Sequence, residues 1–192
     1  MQIDMWIVLI LIGIIVVYVI YTFNSFVSLR NRARNAWADI DVQLKRRHDL
    51  VPNLVAVVQG YASHEKGVFE DVARLRSQAM ELQNTAARAD AESQLAQAIK
   101  SIFAVAENYP ELKADKNFRE LQSQLAEVED HIQYARRYYN AVVRDLNTKC
   151  EMFPSSLIAG MAGATKLPYF QAADDEREAV RVNMTEGKKD ES

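Results

Sequence analysis

The sequence predicts an all-α protein in which an N-terminal transmembrane helix continues into an antiparallel bundle of three to four long helices. Three observations carry that expectation. An uncharged apolar run lies near the start, a long heptad pattern lies near the end, and 6 Gly with 4 Pro are too few for a turn-rich β domain. The chain has 192 residues with 23 basic and 26 acidic side chains, a net charge of -3. Its 49% hydrophobic content resembles that of a soluble globule only because an apolar N-terminus is averaged with a polar body. The single cysteine, Cys150, excludes an intramolecular disulfide framework and any cysteine-based zinc site, and is expected to be a packed free thiol.

The apolar run fills residues 5–25. Its core, MWIVLILIGIIVVYVIYTF, would extend roughly 28 Å as a helix, close to the hydrocarbon thickness of a bilayer. Trp6 stands at one end and Tyr18, Tyr21, Phe23 and Phe26 at the other, where aromatic rings favour the headgroup level. A cleavable signal peptide would need a basic start and a small-residue cleavage site; MQID has an acid and no base, so an uncleaved anchor is expected. Asp4 precedes the span, whereas Arg30, Arg32 and Arg34 follow it. The positive-inside rule then puts residues 1–4 outside and the body in the cytoplasm, with those arginines at the lipid headgroups.

Residues 26–153 carry only helical periodicity. Trp37, Ile40, Leu44, Val51, Leu54, Val58 and Tyr61 form one seam, in which Arg47 is the sole polar member. Pro52 has no amide for the carbonyl of His48, so a kink or break is expected near residues 48–52. A second helix is expected over about 63–83, NTAARADA as a loop or frayed end, and a third helix near 91–109 closed by Pro110. Then Phe118, Leu121, Leu125, Val128, Ile132, Ala135, Tyr139, Val142 and Leu146 keep an unbroken heptad register, with Asn117 and Glu120 resembling a capping box and Pro154 ending the run. If successive helices run away from and back to the bilayer, the apolar segment 154–173 returns to the membrane, with SSLIAGMAGA near the lipid surface. Residues 174–192 read as a disordered polar tail.

The blocks NSFVSLRNRARNAWADIDVQLKRRHDLVPNLVAVVQGYASHE, YPELKADKNFRELQSQLAEVEDHIQYARRYYNAVVRDLN and FPSSLIA, in this order, resemble the LemA family of bacterial membrane proteins over roughly residues 22–160. The resemblance implies a single-pass protein of the inner (cytoplasmic) membrane with a short outer N-terminus and a cytoplasmic helical bundle. The family is associated with membrane stress, envelope maintenance and, in one branch, magnetosome membranes. Where the family often continues with a Phe-Gly-Phe type stretch, this chain has SLIAGMAGATKLPYF, which is less aromatic.

No reaction is written in the residues. His64 and Glu65 would open an HExxH motif, but position 68 is Val, and His48, His64 and His131 are scattered. No GxxxxGK[ST] or GxGxxG loop occurs, so neither metal nor nucleotide cofactor is expected and the chain reads as a non-enzyme. Nucleic acid is not an expected partner either, since residues 51–173 carry more acids than bases and no basic stripe interleaved with aromatics. The KRRHD cluster would stand roughly 24 Å beyond the bilayer edge on an upright helix, out of reach of headgroups at a Debye length of about 8 Å. Lys45, Arg46, Arg47 and Asp49 are therefore assigned to intra-bundle or protein contacts, with Asp41 and Lys45 spaced for an ion pair. The expected function is a membrane-anchored scaffold that forms homo-oligomers or recruits a membrane protein partner. The alternative is a monomeric or dimeric adaptor for a membrane protease or stress system.

Overall fold

The apolar run and the amphipathic stretch after it form one continuous helix, α1, Gln2–Gln59. The computed structural model describes residues 2–82 and 85–170, and the side chains of 5–82 and 87–170; the expected polar tail, 174–192, lies outside the described residues. After α1 come α2 (Lys66–Glu81), α3 (Thr85–Ala106), the short α4 (Pro110–Ala114), α5 (Lys116–Glu151) and the single-turn α6 (Ser156–Ala159). No strand occurs among the described residues. Residues 85–91 of the expected NTAARADA loop instead form the first two turns of α3, and Pro110 opens α4 at its N-terminal turn, where a missing amide costs nothing.

Pro52 does not break α1. The carbonyl of His48, deprived of its usual donor, accepts a hydrogen bond from Arg76 Nε of α2 at 2.8 Å. The proline ring sits on the exposed face, where it displaces no neighbour. The cap of α5 also differs from the expected Asn117–Glu120 box: Asp115 is the N-cap, its carboxylate accepting from the Phe118 amide at 2.9 Å. Tyr61, in the turn after α1, donates to the other Asp115 oxygen at 3.2 Å and ties that turn to the start of α5.

α1 and α5 form the antiparallel spine. Three apolar clusters lie along it, and residue numbers rise on α5 as they fall on α1. Val51, Leu54 and Val58 meet Leu112, Phe118 and Leu125 at the far end, where α2 and α3 add Val72, Leu95 and Ile102. Ala36, Ile40 and Leu44 meet Val128, Ile132, Tyr139 and Val143 in the middle. Phe26 meets Leu146, Ile158 and Ala159 nearest the apolar run. α2 and α3 pack chiefly on each other, as a hairpin laid over the far part of the spine. The heptad positions of α5 are buried except Leu121, which is half-buried.

Below Phe26 the apolar part of α1 is almost bare. Trp6, Ile10, Ile14 and Val17 are exposed, which a helix in the core of a water-soluble protein would not allow. Among the described residues α1 is the one helix long and apolar enough to cross a membrane, and its uncovered surface fits an anchor.

Candidate functional site

The seam of α1 turns Arg47 inward because the residues on either side of it along the stripe, Leu44 and Val51, are fully buried. Arg47 is 3% exposed, His48 4% and Glu92 of α3 3%, so a charged cluster sits inside the bundle. Arg47 Nη2 donates to the Glu92 carboxylate and, at 3.1 Å, to the Glu92 main-chain carbonyl. Its Nη1 donates to Glu129 Oε2 of α5 at 3.0 Å. His48 Nε2 lies 3.0 Å from Glu92 Oε1. Burial works against a charge on Glu92, but the hydrogen bond from His48 and the Arg47 guanidinium outweigh it and hold the carboxyl below its ordinary range.

Three helices therefore meet at one guanidinium. Sliding α1 against α3 by a turn would leave Arg47 and Glu92 buried and unpaired, at a cost of several kcal/mol, so the pair fixes the register of those helices, and the partly exposed Glu129 ties in α5. A cleft of about 250 Å³ opens beside it, walled by Ile99 and Phe103 of α3 and Leu125 and Ala126 of α5, with Arg47 and Glu129 at one side. Lys100 and Gln122 complete its polar lining, so an apolar floor is rimmed by two cations, a carboxylate and an amide. Among the described residues no His, Cys, Asp and Glu side chains converge in threes as metal ligands. Cys150 is half-buried and packs against the cluster around Phe26.

Of the residues assigned to protein contacts, Lys45, Arg46 and Asp49 are exposed, and Arg46 pairs with Glu127 of α5 at 3.3 Å. Arg47 is not a surface contact: its place on the seam commits it to Glu92 and Glu129. Asp41 pairs with Arg88 of α3 at 2.9 Å instead of the expected Lys45. Arg30, Arg32 and Arg34 are exposed on α1 beyond the apolar run, and Arg30 Nη1 reaches the carbonyl of Gly163 at 3.4 Å.

A second arrangement was missed in the sequence. After α6 the chain does not stay at the lower end of the spine; residues 165–170 run back along it as an extended strap. Asn147 clasps Leu167 through both its amide and its carbonyl, each at 2.9 Å. Asn140, seven residues earlier on α5, clasps Phe170 in the same way at 2.9 and 2.8 Å. Tyr139 donates to the Pro168 carbonyl at 3.1 Å, and Phe170 lies between Trp37, at 5.7 Å, and the Arg136 guanidinium, at 4.6 Å. Two asparagines one heptad apart, each standing in for a missing strand partner, were the available signal.

The comparisons with known proteins point to one family. A family model described as the LemA family matches residues 36–184. The chain is 23% identical to magnetosome protein MamQ 2 of Paramagnetospirillum magneticum over 78% of its own length and 64% of that protein. It is 21% identical to magnetosome protein MamQ of Magnetospirillum gryphiswaldense, over 77% of this chain and again 64% of the relative, so it spans a little under two thirds of those proteins. It is 24% identical to protein LemA of Metamycoplasma hominis, over 85% of this chain and 74% of that one. With the family model covering most of the sequence, including the spine from residue 36 of α1 onward, the buried arginine cluster and the strap, the chain belongs to the LemA family.

Proposed function

We propose that this protein is a membrane-anchored scaffold of the cytoplasmic face. α1 crosses the inner membrane with residues 1–4 outside, and the bundle of residues 26–153 self-associates or gathers partners beneath the bilayer. The observation that carries this reading is the uncovered face of the spine. Val42 of α1 and Tyr134 and Tyr138 of α5 are exposed side by side around a shallow groove that also takes in Asp39 and His131. Apolar and tyrosine surface of this kind is typical of the centre of a protein contact. Lys45, Arg46 and Asp49 stand on the next turns of α1 and supply a charged rim that selects the partner.

The anchor gives the mechanism. Confining every copy to one plane raises its effective concentration, so contacts too weak to hold in free solution build an assembly. Lys45→Glu with Arg46→Glu would weaken such an assembly without entering the core. The native mass of the full-length protein in lipid nanodiscs tests the proposal: a discrete homo-oligomer larger than a dimer, reduced by the double substitution, is expected. A monomer or dimer of unchanged mass sinks self-assembly and favours the adaptor for a membrane protease or stress system. The relatives named as magnetosome proteins make membrane shaping the process to examine first.

A further inference from the structure

We propose that residues 152–161 form a second membrane contact, in which Met152, Phe153, Leu157 and Met161 enter the headgroup and upper acyl region of the same leaflet from which α1 emerges. The inference rests on the reading of α1 as a membrane anchor.

Depth is the first ground. Ile158 and Ala159 of α6 pack with Phe26 and against Val19, and Thr22 is 2% exposed, although the rest of the apolar run is bare. Lys149, two residues before the end of α5, bonds through Nζ to Ser25 Oγ and stands 5.8 Å from the centre of the Tyr21 ring. The C-terminal end of the spine therefore lies beside residues 19–26, inside or at the edge of the span. Val19 is six residues above the lower edge at residue 25, roughly 9 Å along a helix, which is the depth at which interfacial helices bury their apolar face.

Exposure is the second. Phe153 is 80% exposed, Met161 74%, Leu157 70% and Met152 58%, on a segment whose other apolar residues, Ile158 and Ala159, are buried. Four large apolar side chains thus point away from the bundle, at the level where α1 meets lipid.

Backbone bonding is the third. Backbone groups bonded within the turn lower the cost of approaching lipid, and those left over, such as the amide and carbonyl of Phe153, stay at the hydrated headgroup level. Here Ser155 Oγ lies 2.8 Å from the Lys149 carbonyl and 2.9 Å from that of Met152, at the end of α5. The amides of Ser156, Leu157, Ala162 and Ala164 all find carbonyls within 2.8–3.2 Å, and Arg30 takes that of Gly163. The charges agree as well. Lys149 and Arg30 face this end, and the nearby acid Glu151 is paired with Lys166 at 2.6 Å, which offsets its repulsion of an anionic headgroup.

The test uses the full-length protein in vesicles of phosphatidylcholine and phosphatidylglycerol. Single cysteines are placed at Phe153→Cys, Leu157→Cys and Met161→Cys in a Cys150→Ser background and carry an environment-sensitive fluorophore. Ile12→Cys reports the anchor and Ser77→Cys, exposed on α2, the water-facing bundle. Lipids spin-labelled at shallow and deep positions should quench 153, 157 and 161 from the shallow label, with blue-shifted emission, Ile12 from the deep label and Ser77 from neither. If Ile12 is quenched while all three test positions behave as Ser77 does, the second contact is overturned and the anchor stands. If Ile12 escapes quenching, the anchor reading fails and takes the inference with it. Blue-shifted emission at 153 and 157 without lipid quenching would assign the patch to a protein neighbour and overturn the lipid contact.

Discussion

Arg47 is a guanidinium buried on the α1 seam between Leu44 and Val51, and its carboxylate partners, Glu92 and Glu129, come from 45 and 82 residues further along the chain. The cluster has a measurable acid signature. Folded Glu92 releases its proton more readily than the unfolded chain, whose carboxyls keep the ordinary value of 4.5, so the unfolded state binds more protons as pH falls below that value. Stability supplied by Glu92 is accordingly complete above about pH 5 and is lost as pH drops through its lowered folded value. Denaturant titrations of Glu92→Gln at pH 7 and at pH 3.5 should show a penalty that shrinks at the lower pH; a constant penalty would contradict the ionised pair. Arg47→Met leaves Glu92 buried without its cation and should cost about 3–5 kcal/mol at neutral pH, measured in the same way.

Among the helices, those whose signals are local were the readable ones. The heptad of α5 predicts most of its buried seam, though not Arg136 and Val143 beside it, and the uncharged run of α1 predicts the long apolar helix. What was not readable depended on distant groups. Pro52 predicts a break from its own chemistry, and only Arg76, brought over by α2, removes the reason for one. The capping residue moved from Asn117 to Asp115 because α4 ends there and hands its carboxylate to α5. Arg76→Ala should cost about 1–3 kcal/mol, the desolvation penalty of a carbonyl left without a donor. In a Pro52→Ala background residue 52 regains its amide, the His48 carbonyl regains its helical donor, and the same substitution should cost clearly less. Equal costs in the two backgrounds of this double-mutant cycle would show that Arg76 acts elsewhere.

For the whole molecule, the spine and the hairpin over it differ in support. α1 and α5 are fastened by three apolar clusters, the arginine network and the strap, whereas α2 and α3 lean mainly on each other. Hydrogen exchange of the full chain should find amides of α2 and α3 opening before those at 36–47 of α1 and 128–143 of α5. Uniform protection would instead make the bundle one cooperative unit. The unbroken course of α1 has a mechanical consequence. A helix of 58 residues, roughly 87 Å long, is stiff in torsion, and this one has no joint between the bilayer and the far turn. Turning the bundle about its long axis must therefore turn the apolar segment by the same angle, and under the proposed anchoring a lipid or neighbour that grips that segment would set the compass bearing of every face the bundle presents.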